Sequence, residues 1–300
     1  MSAADINSCL SRPEILQEQF IPDHVFLYVT KGAISCYDGN KSYTIKSGEY
    51  CLARKNRLAR YYGEKSDAEF ERIIFCFDEE FIRNFQKKHK SVSIEFNSDA
   101  SFVKINPTKL IPDFIHSLKP YCDSSGKIEE AFEDLKYEEL LIILLQNQPE
   151  LAGIFFDYAK PEKINLEEFM NRNFKFNVSI QRFAFLTGRS LSAFKRDFKT
   201  IFNESPNHWL VKKRLHEAYF LIEKKNKKAS EIYLDLGFED LSHFSFAFKN
   251  YSDLGLPNLQ NRRRVSILKY HYEFIKQQNS DHRRCHWHRP GTYRKIYPGK

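Results

Sequence analysis

The run SAFKRDFK at 192–199 carries three basic side chains, Lys195, Arg196 and Lys199, interleaved with Phe194 and Phe198. On a helix the two rings and Ile201 form one apolar stripe, and the basic groups fall on other faces. Ammonium and guanidinium groups arrayed in this way suit phosphate oxygens and base edges, with Arg189, Ser190 and Ser192 as further donors beside them. A second run, DLSHFSFAFKNY at 240–251, repeats the arrangement. Phe244, Ala247, Phe248 and Tyr251 line its inner face; Ser242, His243, Ser245 and Lys249 are its outward polar groups. Phe246 has two readings, a partly buried ring or an apolar wedge meeting thymine methyls or a subunit. The dipeptide Phe-Lys recurs in both runs, at 198–199 and at 248–249.

Groups of this kind read DNA only when a partner helix fixes their angle. Phe183, Ala184 and Leu186 precede Thr187-Gly188-Arg189 and supply such a partner, with Gly188 relieving a tight reversal and Ser190 capping the helix that follows. Ile232, Leu234 and Leu236 lead likewise to Gly237-Phe238, and Asp240 is the second cap. Between the two lies SPNHWLVKKRLHEAYFLIEK at 205–224, one helix with Pro206 in its first turn and Trp209, Leu210, Leu215, Ala218 and Ile222 facing both flanking units. Two reading helices held about 34 Å apart would enter successive major grooves of one duplex.

Charge points the same way. The 300 residues carry a net +8, divided into +13 over 161–300 and −5 over 1–160. A basic half attracts phosphate backbones through a long-range, salt-sensitive term. The tail from Asn261 adds NRRR and DHRRCHWHRPGTYRKIYPGK and reads as an exposed basic segment, with a metal clip at His282, Cys285, His286 and His288 the alternative.

The front half has a different texture. VFLYV, AISCY, KSYTI, EYCLA and FERIIFCF are short strand-like runs between turn signals, Asp38-Gly39 being a tight-turn candidate, and together they predict a small antiparallel barrel or sandwich. Helices follow: Phe77, Phe81 and Phe85 mark one over 77–89, Pro112 bounds another piece, and a longer one spans about 128–146. Its apolar content exceeds one stripe, so Leu141, Ile142, Leu144 and Leu145 read either as core or as a dimerisation surface. The polar stretch 159–169 is the expected boundary. It gives domains at 1–160 (effector-binding and/or dimerisation), 161–264 (DNA-binding) and 265–300 (basic tail).

Other chemistry finds little support. The six cysteines are scattered without a C-x-x-C pair and read as small buried hydrophobes. His24, His89 and His116 are too dispersed for a metal-dependent barrel enzyme, no nucleophile arrangement or phosphate loop emerges, and neither cofactor nor metal is expected. With no signal sequence and no apolar run beyond Leu140–Leu145, a cytoplasmic protein without membrane association is the expectation.

The motifs FAFLTGRSLSAFKRDFKTIFNESPNHWLVKKRLHEAYFLI at 183–222 and ASEIYLDLGFEDLSHFSFAFK at 229–249 resemble the C-terminal domain of the AraC/XylS family of bacterial transcription regulators. The resemblance implies two helix-turn-helix units joined by a linker helix, behind a cupin-like antiparallel β-barrel followed by helices. It implies a sequence-specific activator, not an enzyme, that binds double-stranded promoter DNA and contacts RNA polymerase. A small-molecule or protein effector at the barrel and a homodimer are further implied partners. Arg214 resembles the family's linker arginine, and with Trp209 it supports the linker helix. Two departures stand out: Tyr233 where the family has a small alanine, and Phe246 where an arginine is frequent. Gly255 and Pro257 also come late, which implies a longer closing turn in the second unit. The competing classes are a nonspecific nucleic-acid-binding structural protein and a cupin-type enzyme fused to a basic domain.

Overall fold

The structure, a computed structural model, describes residues 19–63, 70–91, 96, 100–123 and 126–253. The front half builds strands β1 (Phe20–Ile21), β2 (His24–Lys31), β3 (Ala33–Tyr37), β4 (Ser42–Lys46), β5 (Tyr50–Ala53), β6 (Arg57–Leu58), β7 (Arg60–Gly63) and β8 (Glu71–Phe77). Helix α1 (Glu79–His89), strand β9 (Phe102–Lys104) and helices α2 (Leu110–Ser117), α3 (Glu130–Asn147) and α4 (Ala152–Phe155) complete it. The strands pair antiparallel in a four-stranded sheet ordered β8-β2-β5-β9, a three-stranded sheet ordered β4-β3-β7 and a β1-β6 ribbon. The β3–β4 hairpin turns where expected. Asp38 accepts from the backbone N–H of Asn40 and Lys41 at 2.9 and 2.7 Å, and Gly39 takes a φ of +93°.

The four-stranded sheet is buried on both faces, so β2 reads as an unbroken apolar run, VFLYV. Successive side chains alternate across the sheet. Phe26 and Tyr28 point with Leu52, Ile73, Phe75 and Phe77 into a core shared with α1 to α4. Val25, Leu27 and Val29 point with Cys51, Ala53 and Ile74 toward Ile34, Cys36 and Ile45 of the three-stranded sheet. Among the described residues a cavity of about 10 Å³ lies between these sheets, lined by Val25, Leu27, Ile34, Tyr61, Arg72 and Phe102 among others.

The sequence places the helices correctly within a few residues, with two adjustments. Phe77 ends β8 rather than opening α1, and Pro112 sits in the first turn of α2, where its missing N–H costs nothing. One reading needs correction. Leu141 and Leu144 are fully buried in the domain's own core, which removes them from any subunit surface, while Ile142 and Leu145 are half-buried and pack against that core. The excess of apolar residues in α3 is explained by burial among the β-sheet and the neighbouring helices.

The back half is helical: α5 (Leu166–Asn173), α6 (Ile180–Leu186), α7 (Leu191–Phe202), α8 (Pro206–Lys225), α9 (Ala229–Ile232) and α10 (Leu241–Asp253). The stretch expected as a boundary is irregular up to Asn165, whose side chain caps α5. The chain separates into compact units between Leu210 and Val211, inside α8, so the first unit holds the β-rich part together with α5 to α7. Within that unit the joint is well knit. Phe20 and Leu58 share a core with Met170, Phe183, Phe194 and Phe198; Tyr37 stacks on Phe176 with centroids 5.9 Å apart; and the Asn177 N–H donates to Gln19 Oε1 at 2.7 Å. Arg60 donates to the Lys175 carbonyl. Among the described residues no helix is long and apolar enough to cross a membrane.

Candidate nucleic-acid interface

Helices α6 and α7 form the first helix-turn-helix. Ser179 Oγ accepts from the Arg182 N–H at the start of α6, and Ser190 Oγ accepts from the Ala193 N–H at the start of α7, the cap expected. The turn between them is fixed from inside. Thr187 is fully buried and its Oγ1 donates to the carbonyls of Phe183 and Ala184 at 2.9 and 3.0 Å. Gly188 adopts a φ of +64°. A Cβ there would sit 2.5 Å from the Lys163 nitrogen and inside the Glu162 carbonyl, so glycine serves a close backbone approach as well as the reversal.

Arg189 departs from its expected role. Its side chain is only 7% exposed, with Nε on Asp197 Oδ2 at 3.2 Å and Nη1 on the carbonyls of Ile164 and Thr187 at 3.0 and 2.7 Å. The guanidinium ties the linker, the turn and α7 together, so these donors are engaged within the protein. Arg189, then Arg196 and Lys163, hold the Asp197 carboxyl below the usual aspartate range. Thr187 and Asp197 were not singled out in the sequence. A threonine before a turn glycine is a readable signal, but the Arg189–Asp197 pairing depends on the fold.

Ser192, Lys195, Arg196 and Lys199 are exposed on α7, and Phe194 and Phe198 are fully buried beneath them. Arg196 reaches Asp197 at 3.3 Å while remaining 76% exposed, and Lys199 Nζ donates to the Asn203 carbonyl at the helix end. Ile201, expected in the packing stripe, is instead an exposed residue, as is Leu234 in the second unit. Trp209 stands against Phe198 and Phe202, with centroids 5.6 and 4.6 Å away, and so joins α8 to the first core.

The second helix-turn-helix, α9 and α10, has its own core of Leu215, Ala218, Ile222, Ile232, Leu236, Phe238, Phe244 and Phe248. Asp240 Oδ1 accepts from the His243 N–H at 2.6 Å, the cap expected, and Gly237 has a φ of +83°. The Gly237 carbonyl accepts from Arg214 Nη1 at 2.9 Å; Arg214 is 8% exposed and anchors the turn from α8. Tyr233, in place of a small residue, is half-buried and packs against this core. Of the outward groups, His243 is exposed and Ser242 and Lys249 are partly so. Ser245 is the exception: it is 2% exposed and faces the core, because helical phase puts it beside Phe248, about 60° further round the helix. Phe246 is an exposed ring, 49% accessible, and Asn250, not anticipated, is exposed near it.

Two stretches of the chain match families of known proteins. Residues 183–254 match a helix-turn-helix domain family, and residues 24–154 match the ExsA N-terminal regulatory domain. The chain is a DNA-binding transcription regulator of the AraC/XylS family. It is 23% identical over 231 residues to the virulence regulon transcriptional activator VirF of Yersinia enterocolitica, an alignment covering 74% of this chain and 84% of that protein. The thermoregulatory protein LcrF of Yersinia pestis is 24% identical over the same coverage. The HTH-type transcriptional regulator ExsA of Pseudomonas aeruginosa is 24% identical over 117 residues, 38% of this chain and 42% of that protein. Among the described residues no cluster of three or more metal-ligating side chains occurs. His24 is a buried neutral imidazole: burial, then the charges of Lys55 and Arg54, lower its pKa to about 3.

The late closing turn at Gly255 and Pro257 and the basic tail with its histidine cluster lie outside the described residues.

Proposed function

We propose that this chain is a cytoplasmic activator that binds specific promoter sequences through both helix-turn-helix units, acts on RNA polymerase there and performs no catalysis itself. The observation that carries the reading is the exposed row Ser192, Lys195, Arg196 and Lys199 on a helix whose turn is pinned by Thr187, Gly188 and Arg189. A cationic face on a rigid helix can enter a major groove without first ordering itself. The named relatives VirF and the DNA-binding domain match support activation and promoter binding respectively. In this reading residues 1–160 sense or assemble, 161–264 bind DNA and 265–300 add a basic tail.

Selection of bound fragments from genomic DNA by the purified chain, with and without cell extract, tests the proposal. A recovered sequence motif, bound at least tenfold more weakly by Lys195→Ala or Arg196→Ala, is the expected result. Equal affinity for recovered and random duplexes would instead favour a nonspecific nucleic-acid-binding protein.

The site of effector action is a second question. The cavity between the sheets, about 10 Å³, has room for at most one water. A small effector there requires the sheets to part. An open groove of about 340 Å³ between α1 and α3, bordered by Asp78, Glu80, Asp134 and Glu138 around Phe81, favours the reading that the front half meets its effector at its surface. If so, cell extract alters DNA affinity in the selection and small molecules added alone do not.

A further inference from the structure

Two residues before each Phe-Lys pair stand Arg196 in the first unit and Phe246 in the second. Their places on the two helices correspond. At about 100° per residue, the buried side of α10, centred among Phe244, Phe248 and Ser245, lies roughly opposite Phe246. Ser242 and Lys249 flank the ring on one side of the outward arc, His243 and Asn250 on the other. Arg196 holds the same central position on α7, opposite Phe194 and Phe198, and is 76% exposed. The residue at the middle of the outward arc of a reading helix is the one that reaches deepest into a groove. Here one unit presents a guanidinium and the other a phenyl ring, 49% exposed with polar neighbours on both sides.

We infer that the second helix-turn-helix reads DNA by apolar contact, with Phe246 seated against the 5-methyl group of thymine in the major groove. The inference rests on the reading of α10 as a DNA-facing helix and names what that helix recognises. The thymine methyl is the apolar feature of the major-groove edge, and a phenyl ring has no hydrogen bond to offer a guanine or a cytosine. The aspartate cap fixes the start of α10, and the Phe238–Phe244–Phe248 ring contacts, with centroids 5.1 and 5.6 Å apart, hold the helix against its core, so the ring is carried on a rigid support. His243 and Lys249, on either side, are placed to meet phosphates or neighbouring base edges. The two units then divide the work: charged readout by Arg196 and methyl readout by Phe246.

Replacing thymine with deoxyuridine removes the methyl group and leaves every hydrogen-bonding atom in place. In a duplex recovered by the genomic selection, each thymine is exchanged singly for deoxyuridine and the affinity of the full chain measured. One or two positions should lose about fourfold, the size of one methyl withdrawn from apolar contact. Phe246→Ser should bind thymine and deoxyuridine duplexes alike at those positions, Phe246→Leu should keep part of the difference, and Arg196→Ala should keep all of it. Equal wild-type affinity for every exchanged duplex overturns the inference, as does an undiminished difference in Phe246→Ser. A Phe246→Ser chain that changes its sedimentation mass and not its thymine preference assigns the ring to a protein contact and also overturns it. Failure to recover any preferred duplex is a separate outcome, which overturns the promoter-binding reading and this inference with it.

Discussion

The two helix-turn-helix units solve the same geometric problem with different parts. Each has an oxygen cap, a left-handed glycine in the turn, a paired-phenylalanine core and one nearly buried arginine. In the first unit that arginine, Arg189, belongs to the turn itself and grips the linker and α7; in the second, Arg214 comes from α8 and grips a turn carbonyl. The first also presses its glycine against residues 162–163 and joins the β-rich part through Arg60, Gln19 and Tyr37. On the outward faces the contrast is chemical: Lys195, Arg196 and Lys199 against His243, Phe246 and a half-exposed Lys249. The difference teaches that the turn and the reading face are separable. A turn can be pinned by whichever cation lies within reach, which leaves the outward arc open to another chemistry.

The largest expected contrast lies in the glycines. Gly188→Ala meets both an unfavourable left-handed backbone and the 162–163 backbone, and should destabilise the chain by about 3 kcal/mol. Gly237→Ala, strained by a backbone φ of +83°, should cost about 1 kcal/mol. Urea unfolding midpoints would check both, and equal losses would mean that the linker contact contributes nothing.

Next come the arginines. Arg189→Met and Arg214→Met should each lose about 2 kcal/mol, the scale of hydrogen bonds from a charged donor. If Arg189→Met keeps its stability and loses only DNA affinity, the guanidinium is a reading group after all.

A smaller difference is expected in salt dependence. Replacing Lys195, Arg196 and Lys199 together should flatten the plot of log affinity against log salt by about 2 to 3, and Lys249→Ala by at most about 1. Equal slopes would erase the electrostatic contrast between the units.

The smallest effect is set by acid. Asp197 has a lowered pKa in the folded chain, so its stabilisation is full above the ordinary aspartate range and fades as pH falls through the lowered value. Between pH 5 and 3 the melting temperature of the wild type should therefore fall slightly more than that of Asp197→Asn.

Much of this was legible in local pattern. The caps Ser190 and Asp240, the glycines of both turns and the buried phenylalanines follow from residue type and helical spacing. What escaped depends on neighbours far along the chain. Arg189 looks like a DNA contact until Ile164 and Asp197 are seen around it, and Leu141 and Leu144 read either as core or as a subunit face until the four-stranded sheet is laid against them. Ser245 was misplaced for a simpler reason: polarity suggested the outside, whereas its phase beside Phe248 puts it inside. The outward arc itself was read more safely in the first unit because three charges mark it. In the second it is marked by a ring, which sequence alone assigns as readily to a core.

The doubly buried sheet of the front half has a consequence for how the chain finds its register. Toward the helices strands β8, β2 and β5 send mainly large side chains, Phe26, Tyr28, Phe75 and Phe77 among them; toward the other sheet they send Val25, Leu27, Val29, Cys51, Ala53 and Ile74. A slip of one residue would exchange the sets and drive aromatic rings into a space with about 10 Å³ to spare. Since both faces are apolar, polarity cannot proofread this sheet. Side-chain volume does it instead, with the narrow gap between the sheets acting as the gauge.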